Sequence, residues 1–584
     1  MGQGEFPIPY IVGSATNAAP GSCYNGRGTL VTNQHEPYCL QLNVNVHHNM
    51  IAGNSAIGDE LFSATLAGGG GASICTGNDY YKFNYNWVCG NLSAGEGGGL
   101  VHLGEIFNGD IEHNSIVFNQ SSNPTIPTNG GGIMVQGTPD TDPVCNGIPD
   151  SDCPPGLSDG TGPGLVINAN LIQGNSADSG SGGGIRLQQV NGTEVSSFPK
   201  QPQYWHDVTI TNNIIINNMA GWDGAGISLQ DALNVNILNN TIAHNDSLAT
   251  AGVLTTSIGA PLASAPAGNC VQSGPSGPLT ASCPQSAGLT STQNSALLTT
   301  TFTGPAATLT CPPGHPNCQR FSNPLLVGDI FWQNRSFFIG IGNLGNGALN
   351  QQKLISLFDA FSGLPAPLQT YTGQCTAGTP TYWDIGVRGD KAVAPNSGSG
   401  YSLDPRYSVL TSITGYSSTN AQTDPAVSNQ YCNGSRVPPE CTKADGCGGP
   451  NGFGVPPGIA DSLTPNPVFS LTPSATVDEG NNWINVNWGP LSLTNPTVTG
   501  GVNGNYGGGS QLANYSLQTT SPALGAIPCA SSSSPCRVNV TGFTGLTSVP
   551  LPPTDFFGYP RPDSTTTNKV DVGAIELQSP PAGK

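Results

Sequence analysis

The chain has 584 residues, among them 80 Gly and 50 Pro, and only 9% are charged, against about 25% in an ordinary globular domain. Lys and Arg number 16 and Asp and Glu 35, a net charge of −19. That balance excludes nucleic acid, which needs basic patches to displace counterions, and disfavours an anionic membrane surface. No stretch approaches the roughly 18 uninterrupted apolar residues of a membrane span.

The opening MGQGEFPIPY has neither a basic nor an apolar leader region, so no signal peptide is expected there. Met1 reads as an added start on a mature or excised segment. Residues 1–40 are expected to form an N-terminal cap. Sixteen cysteines in an acidic, Lys-poor chain point to an oxidising compartment, hence a secreted or cell-surface protein. Most fall in close pairs: Cys23 and Cys39, Cys75 and Cys89, Cys145 and Cys153, Cys270 and Cys283, Cys311 and Cys318, Cys529 and Cys536. Local disulfide staples are the expectation. Cys375, Cys432, Cys441 and Cys447 are left with three connectivities open.

From residue 41 a repeat appears: Asn, any residue, an apolar residue, two of any kind, Asn. Its copies begin at Asn49, Asn86, Asn114, Asn170, Asn213 and Asn240, and a seventh begins with Asp329. Three residues before each stands an apolar residue: Val46, Phe83, Ile111, Ile167, Ile210, Ile237 and Leu326. Glycine runs such as Gly97–Gly99, Gly130–Gly132 and Gly182–Gly184 lead into a further apolar segment between copies. Apolar alternation at period two marks strands. A fixed period marks stacked coils, which bury their apolar faces only against one another. Asn tolerates left-handed turns. Piled at the strand spacing of about 4.8 Å, the Asn side chains are expected to bond one another in a ladder, the condition on which buried amides survive.

This pattern resembles the right-handed parallel β-helix repeat, the pectate-lyase-like architecture of bacterial secreted and surface proteins. The fold expectation is therefore all-β: a right-handed parallel β-helix with loop insertions over residues 41–345. Residues 246–322, rich in Ser, Thr, Gly and Pro, form a disulfide-stapled insertion in this reading. Residues 346–584 are further irregular coils or a β-rich C-terminal domain. Near the end, Asn514-Tyr-Ser-Leu, Asp555-Phe-Phe-Gly-Tyr-Pro-Arg561-Pro-Asp563 and Val570-Asp-Val-Gly-Ala-Ile-Glu576 look like the closing segment of such proteins. That tail is similar to those leading into surface-anchoring modules.

Strand alternation sends the residues two and four before the first Asn outward. On the first three coils these are Asn45 and His47, Lys82 and Asn84, and Asp110 and Glu112; the next three give Val166 and Asn168, Thr209 and Thr211, and Asn236 and Leu238. His48, Tyr85 and His113, each just before an Asn, extend a polar patch on coils one to three. Asp110 and Glu112 point the same way about 7 Å apart, near the lower end of the carboxylate separation of an inverting glycosidase. Lys82, one rung away, is a candidate base or charge neutraliser. A salt bridge with solvated histidines is the plainer reading. His47 and His48 should diverge on a strand, which weighs against a transition-metal site.

Asp140, Asp142, Asp150 and Asp152, around Cys145 and Cys153, offer hard oxygen ligands for Ca²⁺, although EF-hand spacing is lacking and Asp is common in turns. No other cofactor is suggested. Trp205, Trp222 and Trp332 are candidate platforms for sugar rings, and Arg186 is a thin basis for uronate recognition. No GxSxG, HExxH, Walker A or GxGxxG motif is placed between a strand and a helix, and lytic activity on pectin is disfavoured. Two functions follow. The favoured one is a non-catalytic extracellular scaffold or adhesin-like protein, binding polysaccharide, cell-surface or matrix components or stacking end to end on copies of itself. The other is a polysaccharide hydrolase or lyase using Asp110, Glu112 and Lys82.

Overall fold

The computed structural model describes residues 41–56, 68–123, 127–139, 157–250, 283–302, 309–343, 353–364, 381–430, 482–485, 514–530, 535–540, 545–563 and 568–578, with 264, 266–269 and 542 in addition. Short strands wind through four parallel sheets, one strand per sheet in each full coil, which is a parallel β-helix. Sheet 1 begins at Ala72–Cys75 and ends at Ile385–Val387; sheet 2 runs from Asn45–His47 to Leu325–Val327. Sheet 3 runs from Met50–Ala52 to Val409–Leu410, and sheet 4 starts at Ser55–Ala56. The register is strict: Val46 pairs with Phe83, Phe83 with Ile111 and Ile111 with Ile167.

The repeat accounts for these turns, with one correction. Each Asn follows a left-handed residue instead of being one. The first corner, between sheets 2 and 3, carries His48, Tyr85, His113, Ala169, Asn212, Asn239 and Gly328 at φ between 52° and 75°. The second corner carries Gly53, Gly90, Phe118, Gly174, Asn217, His244 and Gln333 in the same region. This kink aims the following Asn into the core.

There the amides form two ladders. Asn86 Nδ2 donates to Asn114 Oδ1 at 3.1 Å, Asn114 to Asn170 at 2.9 Å, Asn170 to Asn213 at 3.0 Å and Asn213 to Asn240 at 3.0 Å. Asn49 starts this column on Asn86. The second N–H reaches back to the preceding coil, as from Asn170 to Ile111 O at 2.8 Å. The second ladder runs Asn54, Asn91, Asn119, Asn175, Asn218, Asn245 and Asn334. Between the columns lies an unbroken apolar core that includes Phe83, Ile111, Ile167, Ile210 and Phe331.

The glycine runs have a steric reason. A Cβ on Gly99 would lie 2.6 Å from Gly132 O and 3.0 Å from Asn119 Nδ2; on Gly184, 2.6 Å from Gly226 O. Coil backbone and second ladder leave no room there for a side chain.

Both ladders end on a carboxylate. Asp329 Oδ1 accepts from Asn240 N and Nδ2 at 2.8 and 3.0 Å. Asp384 Oδ1 accepts from Asn334 N and Nδ2 at 3.1 and 2.9 Å, while its Oδ2 takes the Thr411 N–H at 2.7 Å. A last rung must receive a hydrogen bond but has no further amide to give one to, and a carboxylate is acceptor-only.

Leu289–Ser291 is a rung of sheet 1 inside the 246–322 stretch, and Ile385–Val387 and Val409–Leu410 add rungs beyond residue 345. Sheet 4 then turns antiparallel, where Arg335–Asn343 pairs with Lys353–Asp359. The described residues between 514 and 577 lie on the outside of the later coils. Ile527, Val538, Val572, Ala574 and Ile575 pack against Ile214, Leu238, Leu325, Val327 and Trp332. Arg561, fully buried, donates to Asn212 Oδ1 at 2.8 Å and lies 3.4 Å from Glu576. Asn239 Nδ2 donates to Asp571 O, and Gly573 N to Gly328 O. The resembled closing segment is thus a cap on the flank of the helix.

Cys311–Cys318 and Cys529–Cys536 are disulfides and Cys283 is disulfide-bonded, whereas Cys75 and Cys89 are free. That corrects their expected pairing: the two lie at outward positions of sheets 1 and 3 and face different ways round the coil. Cys23, Cys39, Cys145, Cys153, Cys270, Cys375, Cys432, Cys441 and Cys447 lie outside the described residues. Disulfides suit an oxidising compartment. No helix among the described residues is long and apolar enough to cross a membrane.

Candidate functional site: the uncovered face of the first three coils

The first-corner column changes character along its length. Its last three members, Asn212, Asn239 and Gly328, are held by the cap. Its first three, His48, Tyr85 and His113, carry rings that stack on one another. The His48 and Tyr85 centroids are 5.2 Å apart at 18°, and those of Tyr85 and His113 5.0 Å apart at 4°. One residue per coil at a fixed turn brings the rings within stacking distance. Their faces cover each other, so the column offers edges, with Tyr85 still 52% exposed.

On the sheet 2 side the register sets Asn45, Lys82 and Asp110 in one line and His47, Asn84 and Glu112 in the next. Lys82 Nζ lies 3.9 Å from Asp110 Oδ2, and Asn168 Nδ2 donates to Glu112 Oε1 at 3.4 Å. Burial, then the neighbouring Glu112, pushes the Asp110 carboxyl above its ordinary value, while Lys82 opposes the shift. On the sheet 3 side Met50 and Trp87 are exposed. The sequence reading passed over both, although their outward register, Met50 beside Trp87, follows from the same alternation.

His47 and His48 do not diverge. The left-handed turn at His48 (φ 54°) breaks strand alternation, and the two Nδ1 atoms are 2.9 Å apart. The rings meet edge to face.

Four proposed ligand residues are not brought to this face. Arg186 sits on sheet 1, 3% exposed, bonded to Ser228 Oγ at 2.6 Å and to Gln230 and Gln188. Burial, reinforced by Arg388, lowers its guanidinium to about 10. Trp222 lies beneath Arg388, 4.8 Å from its ring centre. Trp205 is buried with Val195, Leu233 and Leu298, its Nε1 donating to Phe198 O, so it offers no free face. Trp332 is likewise covered, by the cap. Each faces outward or lies in a loop, but distant chain segments close over it. Asp140, Asp142, Asp150 and Asp152 lie outside the described residues.

A further polar group was not legible in the sequence. His206 is buried 3.8 Å from both Glu105 and Glu194, and His102 joins Tyr81 Oη and Thr161 O at 3.0 Å each. Burial lowers His102 to about 4. With these side chains closed from solvent, they tie loops to the coils and offer no entry to a substrate.

No protein-family model matches the chain. No curated protein and no solved structure matches it either. The fold therefore stands on the register and the ladders.

Proposed function

We propose that the chain is an extracellular, non-catalytic β-helix scaffold that attaches to polysaccharide, cell-surface or matrix components through the uncovered face of coils one to three. The observation that carries this reading is the contrast along one column: the cap covers the rungs at Asn212, Asn239 and Gly328, and the ring-bearing rungs are left open. Ring edges, Asn45, Asn84 and the Lys82–Asp110 pair supply donors and acceptors at the coil spacing, as a repeating glycan chain requires. Exposed Trp87 and Met50 add apolar contact. The Cys311–Cys318 and Cys529–Cys536 disulfides and the low charge fit a secreted protein.

A catalytic reading rests on the raised Asp110 carboxyl beside Glu112, an acid–base pair in outline. Against it, Lys82 is drawn to Asp110 and Asn168 to Glu112. A panel of soluble polysaccharides tested for binding, reducing ends and unsaturated products separates the two. The scaffold reading expects binding without turnover, weakened about tenfold, or about 1.4 kcal/mol, in Tyr85→Ala. Product release abolished by Asp110→Asn or Glu112→Gln would replace it with the enzyme.

A further inference from the structure

We infer that His47 and His48 form a divalent transition-metal site with copper(II) geometry on the open face. Two metal–nitrogen bonds of about 2.0–2.1 Å span about 2.9 Å when they meet at a right angle and about 3.3 Å at the tetrahedral angle. The Nδ1 atoms stand 2.9 Å apart as a hydrogen-bonded pair, a separation that also matches the bite of two adjacent positions of a tetragonal ion once the shared proton is displaced. Such N- and O-ligated geometry is that of Cu(II) or Ni(II), with Cu(II) the tighter.

Three features preorganise the pair. The left-handed backbone at His48 turns its ring back toward His47. Tyr85 stacks on the His48 ring and restrains its plane. Asn84, paired with His47 in register on the next coil, has a buried amide oxygen without a hydrogen-bond partner; water fills the positions that the protein leaves. Both histidines are exposed, so an ion can enter, whereas among the described residues His102, His206, His244 and His315 are buried. No group of three or more His, Cys, Asp or Glu side chains among the described residues is arranged for a metal, so the two imidazole nitrogens are the protein's only nitrogen or carboxylate ligands offered here.

Binding here does not depend on the polysaccharide reading, so the two fail separately. The test is titration of the full chain with Cu²⁺ alone, by calorimetry and electron paramagnetic resonance. One ion bound with an axial, two-nitrogen signal is expected. His47→Ala and His48→Ala should each weaken binding at least tenfold, with circular dichroism unchanged, and His113→Ala should leave it intact. Binding that persists in both single variants, or a signal lacking two nitrogens, overturns the assignment.

Discussion

At Asp329 the ladder meets a problem of charge. Burial holds this carboxyl well above its ordinary value, and its Oδ2 has no hydrogen-bond partner. A raised folded-state value means the stabilising contribution is complete below the unfolded value, about 3.9, and is lost as pH rises through the folded one. Asp329→Asn, which removes the charge and keeps the acceptor, should therefore raise the urea midpoint at pH 8 and lose that advantage at pH 4. Asp384 differs because both oxygens are used, one by Asn334 and one by Thr411. Burial lifts it to about 6, but Asn in its place would turn an amide against the Thr411 N–H. Asp384→Asn should destabilise the protein by about 1–3 kcal/mol, the cost of one buried unsatisfied group. Urea unfolding of the two variants side by side checks this opposition.

Among the elements, the ladder supplies the sharpest contrast. The Asn170 side chain accepts two hydrogen bonds from Asn114 and gives one each to Asn213 and Ile111. Asn170→Ala strands buried groups on both sides and should cost about 3 kcal/mol or more, since each such group costs about 1–3. Asn49→Ala, on the exposed first rung, should cost under about 1 kcal/mol, because water replaces what is lost. These rungs were readable because one coil contributes one Asn at a fixed position, so the pattern is local. The paired exposure of Lys82, Asp110 and Glu112 followed from the same alternation. The meeting of His47 with His48 did not, because a single left-handed residue reverses the expected direction. The burial of Trp205, Arg186 and Trp332 was also hidden: what covers each is remote in sequence or lies in an irregular loop.

Across the whole molecule, the cap decides which face is open. It joins the described C-terminal residues to coils some three hundred residues earlier, through Arg561 on Asn212 and Asn239 on Asp571. Arg561→Ala leaves Glu576 buried beside a lost partner and should destabilise by about 3–5 kcal/mol, with proteolysis of the C-terminal segment before the coils. Ladder ends made of acceptors, with the Asp384 carboxylate already occupied, oppose continuation of the stack into a second copy. Light scattering should accordingly find a monomer, and filaments would overturn that inference. Cys75 and Cys89, free and half-exposed, should both alkylate in the native protein.

Every outward position assigned above follows from the amides pointing in. Side-chain hydrogen exchange of ¹⁵N-labelled asparagines reads that orientation directly. The NH₂ groups of Asn114, Asn170 and Asn213 should exchange orders of magnitude more slowly than that of the exposed Asn45. Exchange of all four at a common, solvent-limited rate would contradict the ladder and the open face drawn from it.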